Sequence, residues 1–331
     1  GDLQNAQHFA KLSISLLERF KAKECLPRVY CTVYGFVSQF YEPLQAGIVS
    51  TLSAYEVGMG CGDVMWAMMN ALLYTGKSIQ SGCNLDQLVG HLQGYMRQMK
   101  EYGLIGPLFQ TKLRLQFVLN LIKSSRDPTE LTGDVMNQEE FIIAVTQRKQ
   151  WTLLKMLYTL RIGLAYLFGR YKRAVELIER LEELSANHPE ILVRGASFRL
   201  YFECLYVPLV AIAVQDQNNK ACRWKSIARN GLHQMKVWAE FFPWNFQHQF
   251  EIIAAEMAFR EGDIEAAAVT FDKAIKSAAK HRFFHDQALA CERAAMFSSA
   301  IGNNITASEY FKKSYELYMQ WGARQKANHI A

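Results

Sequence analysis

Apolar residues recur along most of the chain at three- and four-residue spacing, with charged residues between them. Ala267, Phe271, Ala274, Ile275 and Ala278 form one such stripe, and Ala174, Ile178, Leu181 and Leu184 another. Phe250, Ala254, Met257 and Ala258, and then Ala307, Phe311, Tyr315 and Tyr318, repeat the pattern. That period puts the apolar positions on one face of a helix. It predicts helices near 5–22, 28–42, 44–59, 63–75, 84–102, 107–124, 138–147, 151–168, 171–185, 189–214, 219–241, 246–261, 263–280, 284–301 and 304–321. The polar stretch Ser124 to Asn137, with Pro128 and Gly133, reads as a loop. The expected organisation is one continuous array: helical pairs over 1–125, a loop over 126–137, and further pairs over 138–331.

A second pattern explains how the helices join. Gly is followed five residues later by Ala at Gly1 and Ala6, Gly62 and Ala67, Gly169 and Ala174, Gly262 and Ala267, Gly302 and Ala307, and Gly322 and Ala327. Asp or Asn follows the Gly in four of these, as Asp2, Asp63, Asp263 and Asn303. Gly just past a helix end takes the left-handed conformation freely, and the next side chain caps the following helix. The small Ala one turn later lets two helices approach closely. With Ala255 and Ala295 as small first-helix residues, the unit resembles the tetratricopeptide repeat (TPR). It departs from that repeat in its offset of 40 between Gly262 and Gly302, and in Ala258 or Ser298 where the first helix carries an aromatic. The expected fold is all-α, a TPR-like superhelical solenoid of degenerate helix-turn-helix repeats. Its structural repeat positions are Gly62, Ala67, Gly169, Ala174, Gly262, Ala267, Phe271, Gly302, Ala307, Phe311 and Trp321.

Composition agrees with this reading: 331 residues are 50% hydrophobic, with 7 prolines and 20 glycines, so a continuous core is affordable and disorder is excluded. The longest uncharged apolar run, Cys204 to Val214, contains Pro208 and is about half of the ~20 residues a membrane helix needs. Seven cysteines without a C-x-x-C pair suit reduced thiols in a cytoplasmic protein. The net charge of +6 is spread over helix faces, so no nucleic-acid partner is expected. An initial Gly instead of Met is expected of a chain processed or cut from something longer.

Several stretches imitate chemical motifs. Ala71 to Ser78, ALLYTGKS, fits the loose P-loop pattern, in which Lys77 would reach phosphate oxygens. A helix leads into it where a P-loop requires a strand, and its interior Leu-Leu-Tyr-Thr has no glycine. Gly76 is therefore read as a helix stop with Lys77 at the carbonyl end. GMGCG (58–62) is read as a permissive turn, and VPLVAIAVQD (207–216) as a buried helix kinked at Pro208. His281 and His285 have metal-binding spacing but lack the zinc-protease Glu and a third ligand, so they are read as solvent-facing at a turn. Trp238, Phe241, Phe242, Trp244 and Phe246 would fill a helix corner or form a ligand cage. No cofactor or metal is expected.

The segments 40–74, 82–103 (GCNLDQLVGHLQGYMRQMKEYG), 163–184 (GLAYLFGRYKRAVELIERLEEL) and 305–326 (ITASEYFKKSYELYMQWGARQK) together resemble the helical region of multidomain predicted ATPases of the STAND class. Trp321-Gly322-Ala323 and Lys326 are the most specific part. The resemblance implies a P-loop ATPase module upstream, a histidine kinase or nucleotide cyclase module downstream, and for this chain a regulatory, non-catalytic role. Its partners would be proteins or adjacent domains of the same polypeptide. By analogy with TPR first helices, Glu56, Met59, Gln249, Glu256, Phe259, Glu292 and Met296 are expected to face a concave groove. The alternatives are an inducer-sensing helical domain with the 238–246 aromatics as its pocket, and a nucleotide-binding enzyme using Lys77.

Overall fold

The computed structural model describes residues 3–191, 198–216 and 221–331, and every regular element among them is helical. In chain order these are α1 (Leu3–Phe20), α2 (Leu26–Thr32), α3 (Ala46–Cys61), α4 (Val64–Gln80), α5 (Leu85–Glu101), α6 (Ile105–Ile122), α7 (Gln138–Gln147) and α8 (Trp151–Leu167). They continue as α9 (Tyr171–Asn187), α10 (Phe198–Val214), α11 (Ala221–Phe241), α12 (Pro243–Arg260), α13 (Ile264–Lys280), α14 (Phe284–Ala300), α15 (Asn304–Trp321) and α16 (Arg324–Ile330). The protein is an all-α, TPR-like helical-repeat solenoid. The expected turn at Gly1 and Asp2, and parts of the helices expected from 189 and 219, lie outside the described residues.

The repeated turns form for the reason their glycines imply. Gly62, Gly169, Gly262, Gly302 and Gly322 all stand at positive φ, between 67° and 95°, where a Cβ is disfavoured. Asp263 accepts from the Ala266 amide at 3.0 Å and Asn303 from the Thr306 amide at 3.3 Å, capping α13 and α15. Asp63 does not cap α4; it accepts instead from Arg28 Nε at 3.1 Å. The repeat alanines Ala67, Ala174, Ala267 and Ala307 are buried, as are Phe271 and Trp321, while Phe311 is half-buried. A Cβ placed on Gly58 would come within 2.9 Å of the Ala67 Cβ, so α3 and α4 touch nearly backbone to backbone.

Three expectations are corrected. Gly76 is not a stop: α4 runs through it to Gln80, and the left-handed residue that ends the turn is Gly82, at φ 72°. The glycines of 58–62 are not all in a turn, because Gly58 and Gly60 belong to α3 and only Gly62 is left-handed. The helix expected over 28–42 breaks into α2, a π-helical turn at Val33–Val37 and a 3₁₀ turn at Ser38–Phe40. There Gly35 lies against Leu73, with room for no side chain of its own: a Cβ would stand 2.9 Å from Leu73 Cδ1. A short helix beyond Gly322, α16, completes the sixth Gly–Ala pair.

Two kinds of helix result. In α5, α9 and α13 one stripe is buried, as with Leu85, Leu88, Leu92, Tyr95 and Met99, and the rest faces water. In α8 every residue from Leu153 to Leu167 is buried, and α6 is buried from Leu113 to Ile122. A helix buried on all sides needs neighbours on all sides. These are supplied because the array folds back on itself. Buried Asn245 at the start of α12 accepts from the Leu44 amide at 2.9 Å and donates to the Gln39 and Glu42 carbonyls at 3.0 and 3.2 Å. Gln45 donates to the His281 carbonyl at 3.0 Å, and Asn84 to the Gln320 carbonyl at 3.1 Å. Each of these contacts joins residues more than 200 positions apart.

Candidate functional site

The first helices of two pairs, α12 and α14, carry polar residues that are withdrawn from water. Glu256, only 6% exposed, accepts from Arg293 Nε at 2.5 Å and Nη2 at 3.0 Å, and Arg293 Nη1 donates to the Tyr171 hydroxyl at 3.1 Å. Glu292 accepts from Lys326 Nζ at 2.6 Å and from the Tyr318 hydroxyl at 2.8 Å. Lys326, fully buried, also donates to the Leu167 carbonyl at the end of α8. Buried charge is costly unless it is paired and hydrogen-bonded, and here each group is. Burial still pulls the Lys326 ammonium below the ordinary lysine range, although Glu292 works against it.

A second polar cluster lies at the start of α14. Asp286 is 2.9 Å from His248 Nε2, 3.1 Å from Gln249 Nε2 and 3.4 Å from His285 Nε2. Burial alone would raise its pKa, but the two histidines and Gln249 hold it down at about 2. Burial keeps the His285 pKa below its usual value despite Asp286. Gln80, Tyr201, Gln249, His285, Asp286 and Trp321 close around about 20 Å³ of space, enough for roughly one water. Residues from both ends of the array meet here.

Segment 127–320 matches the family model of CHK1-like TPR repeats, which is more than half of the chain. The chain belongs to this family. No curated protein matches it. Among the expected groove positions of the TPR array, Gln249, Glu256 and Glu292 are buried and hydrogen-bonded to Asp286, Arg293 and Lys326. Glu56 is exposed and Met59 half-buried on α3. Phe259 is half-buried, with its ring 5.1 Å from that of Phe297, and Met296 is exposed. Ile264, Ile301 and Ile305, at the turns that follow α12 and α14, are exposed as well. Arg293, Lys326, Asp286 and Tyr318, which organise the interior, were not legible as partners because their contacts are long-range.

The chemical imitations of the TPR array resolve as follows. ALLYTGKS is helical throughout, and Lys77 is buried in the last turn of α4. His285 does not face solvent; it turns inward onto Asp286, and among the described residues no His, Cys, Asp and Glu grouping can hold a metal. The 238–246 aromatics pack on one another across the α11–α12 corner, Trp238 to Phe246 at 4.9 Å, and Phe242 reaches Phe40 at 5.1 Å. Pro208 lies within α10, where Gly231 of α11 packs against its ring. All seven cysteines are free thiols. Among the described residues no helix is long and apolar enough to cross a membrane.

Proposed function

We propose that this TPR array is a non-catalytic, regulatory protein-interaction module of a larger cytoplasmic signal-transduction ATPase, contacting a neighbouring module of the same polypeptide. The observation that carries the reading is the TPR-type repeat itself, a unit used for protein contact. The STAND-class setting rests on the sequence resemblance. The proposed contact surface comprises the exposed apolar residues Met296, Ile301 and Ile305, the last of them 78% exposed. Binding there acts at the α14–α15 turn, and through Glu292, Tyr318 and Lys326 it biases how tightly α16 closes the array.

Calorimetric titration of the chain with the separately expressed ATPase module tests this. The expected result is saturable binding that a Met296→Glu, Ile305→Glu variant loses while keeping its helicity. No heat from the parent chain would sink the reading, and equal affinity in the variant would sink the choice of edge.

A further inference from the structure

Lys77 is the one charged residue of ALLYTGKS, and the fold buries it without a hydrogen bond to its ammonium. It is 4% exposed, and its Nζ has no hydrogen-bond partner. Its stem passes over Gly47 of α3, where a Cβ would stand 3.2 Å from Nζ, so the glycine leaves the ammonium its space. Beside it is a cavity of about 30 Å³, lined by Gly35, Gln39, Gly76, Lys77, Gln80 and Arg114. Arg114 is likewise buried and is held by the Leu72 carbonyl at 2.6 Å and Thr75 Oγ1 at 3.1 Å. Glu42 is the carboxylate that acts on Lys77, yet it is half-buried and makes no hydrogen bond to it.

We propose that this cavity binds one small inorganic anion of chloride size, held by Lys77 Nζ with the Arg114 guanidinium as the second positive group. Lys and Arg present only donors, so the charged lining favours an occupant that accepts from several directions. A cavity of about 30 Å³ is the right order of size for a single small ion. Glu42 supplies charge but no hydrogen bond, and a buried ammonium with unmet donors is costly; an anion accepting from it removes that cost. Burial draws the Lys77 pKa down to about 8, so the group is still largely charged at neutral pH. Burial also pushes the Glu42 carboxyl up, which weakens it as a counter-ion. The π-helical turn at Val33–Val37, which places Gly35 and Gln39 on the cavity, is the kind of irregularity that marks ligand sites.

The test is thermal unfolding of the purified chain in sodium gluconate, replaced stepwise by sodium chloride or bromide at constant ionic strength. The melting midpoint of the parent should rise saturably by roughly 2–4 °C and that of Lys77→Met should not respond. Phosphate should give no Lys77-dependent rise. Crystals grown in bromide should show an anomalous peak within hydrogen-bond distance of Nζ, which decides the matter even if Lys77→Met does not fold. The same halide response in both proteins, or a water at the site with no bromide peak, would overturn the proposal. A Lys77-dependent response to phosphate equal to that of chloride would overturn its size argument.

Discussion

The ammonium of Lys326 stands 2.6 Å from the carboxylate of Glu292, both in the interior, and it fastens the last helix to α14. Removing one member leaves the other charged and buried. Lys326→Ala should cost about 3–5 kcal/mol in urea unfolding, while Lys326→Met with Glu292→Leu should recover part of the loss. A cost below about 1 kcal/mol for the single variant would mean that Glu292 is solvated.

The ion pair between Arg324 and Asp86 also closes the array, at 2.6 and 2.8 Å, yet both side chains are close to half exposed. Water competes for such a pair. Arg324→Ala should cost no more than about 1 kcal/mol, and less at 1 M salt. The contrast with Lys326 is read by the same denaturation assay.

Close helix packing makes some glycines indispensable and leaves others free. A Cβ on Gly231 would stand 2.1 Å from the Pro208 ring, so Gly231→Ala should force α10 and α11 apart and lower stability by about 1–3 kcal/mol. Gly90, inside α5, has nothing within 4 Å, and Gly90→Ala should stabilise by about 0.5–1 kcal/mol. Calorimetric melting of the two variants gives both signs.

Burial lowers the Lys77 pKa from 10.5 to about 8, so the unfolded chain binds more protons between those values. The penalty is full below about pH 8 and fades as pH rises toward the unfolded value. In halide-free buffer Lys77→Met should therefore be more stable than the parent by ~3 kcal/mol at pH 7, with the gap closing by about pH 10. A gap independent of pH would remove the electrostatic cause.

His285 has the opposite place on the pH scale. Its native pKa is lowered by burial, so on acidification the unfolded chain takes up a proton that the native chain resists. The resulting penalty is absent above the unfolded histidine value and grows as pH falls from it toward the lower native value. Between pH 7 and 5 the denaturation midpoint of the parent should fall more steeply than that of His285→Gln. Parallel curves would place the acid sensitivity elsewhere.

The helices and their partners were legible because they follow from neighbours in sequence. Gly262, Asp263, Ala267 and Phe271 specify a turn, a cap, a close approach and a buried stripe within ten positions, and each does so in the structure. Gly76 was misread for the same local reason: a glycine after an apolar run looks like a stop, but the packing of Gly35 and Gly47 around α4 carries the helix through it. The burial of some expected groove positions was hidden for a different reason. Glu256 and Glu292 have the spacing of an exposed polar face, and only Arg293 and Lys326 approaching from other helices make them interior.

By itself, then, the sequence determined that this protein is a stack of helical pairs, because periodicity, capping and turn chemistry act over a few residues. Where the stack bends, and so which polar faces meet water, was decided only in the tertiary structure. Contacts such as Leu44 to Asn245 and Asp86 to Arg324 span more than 200 positions. Their energy depends on three-dimensional approach, which no local pattern encodes.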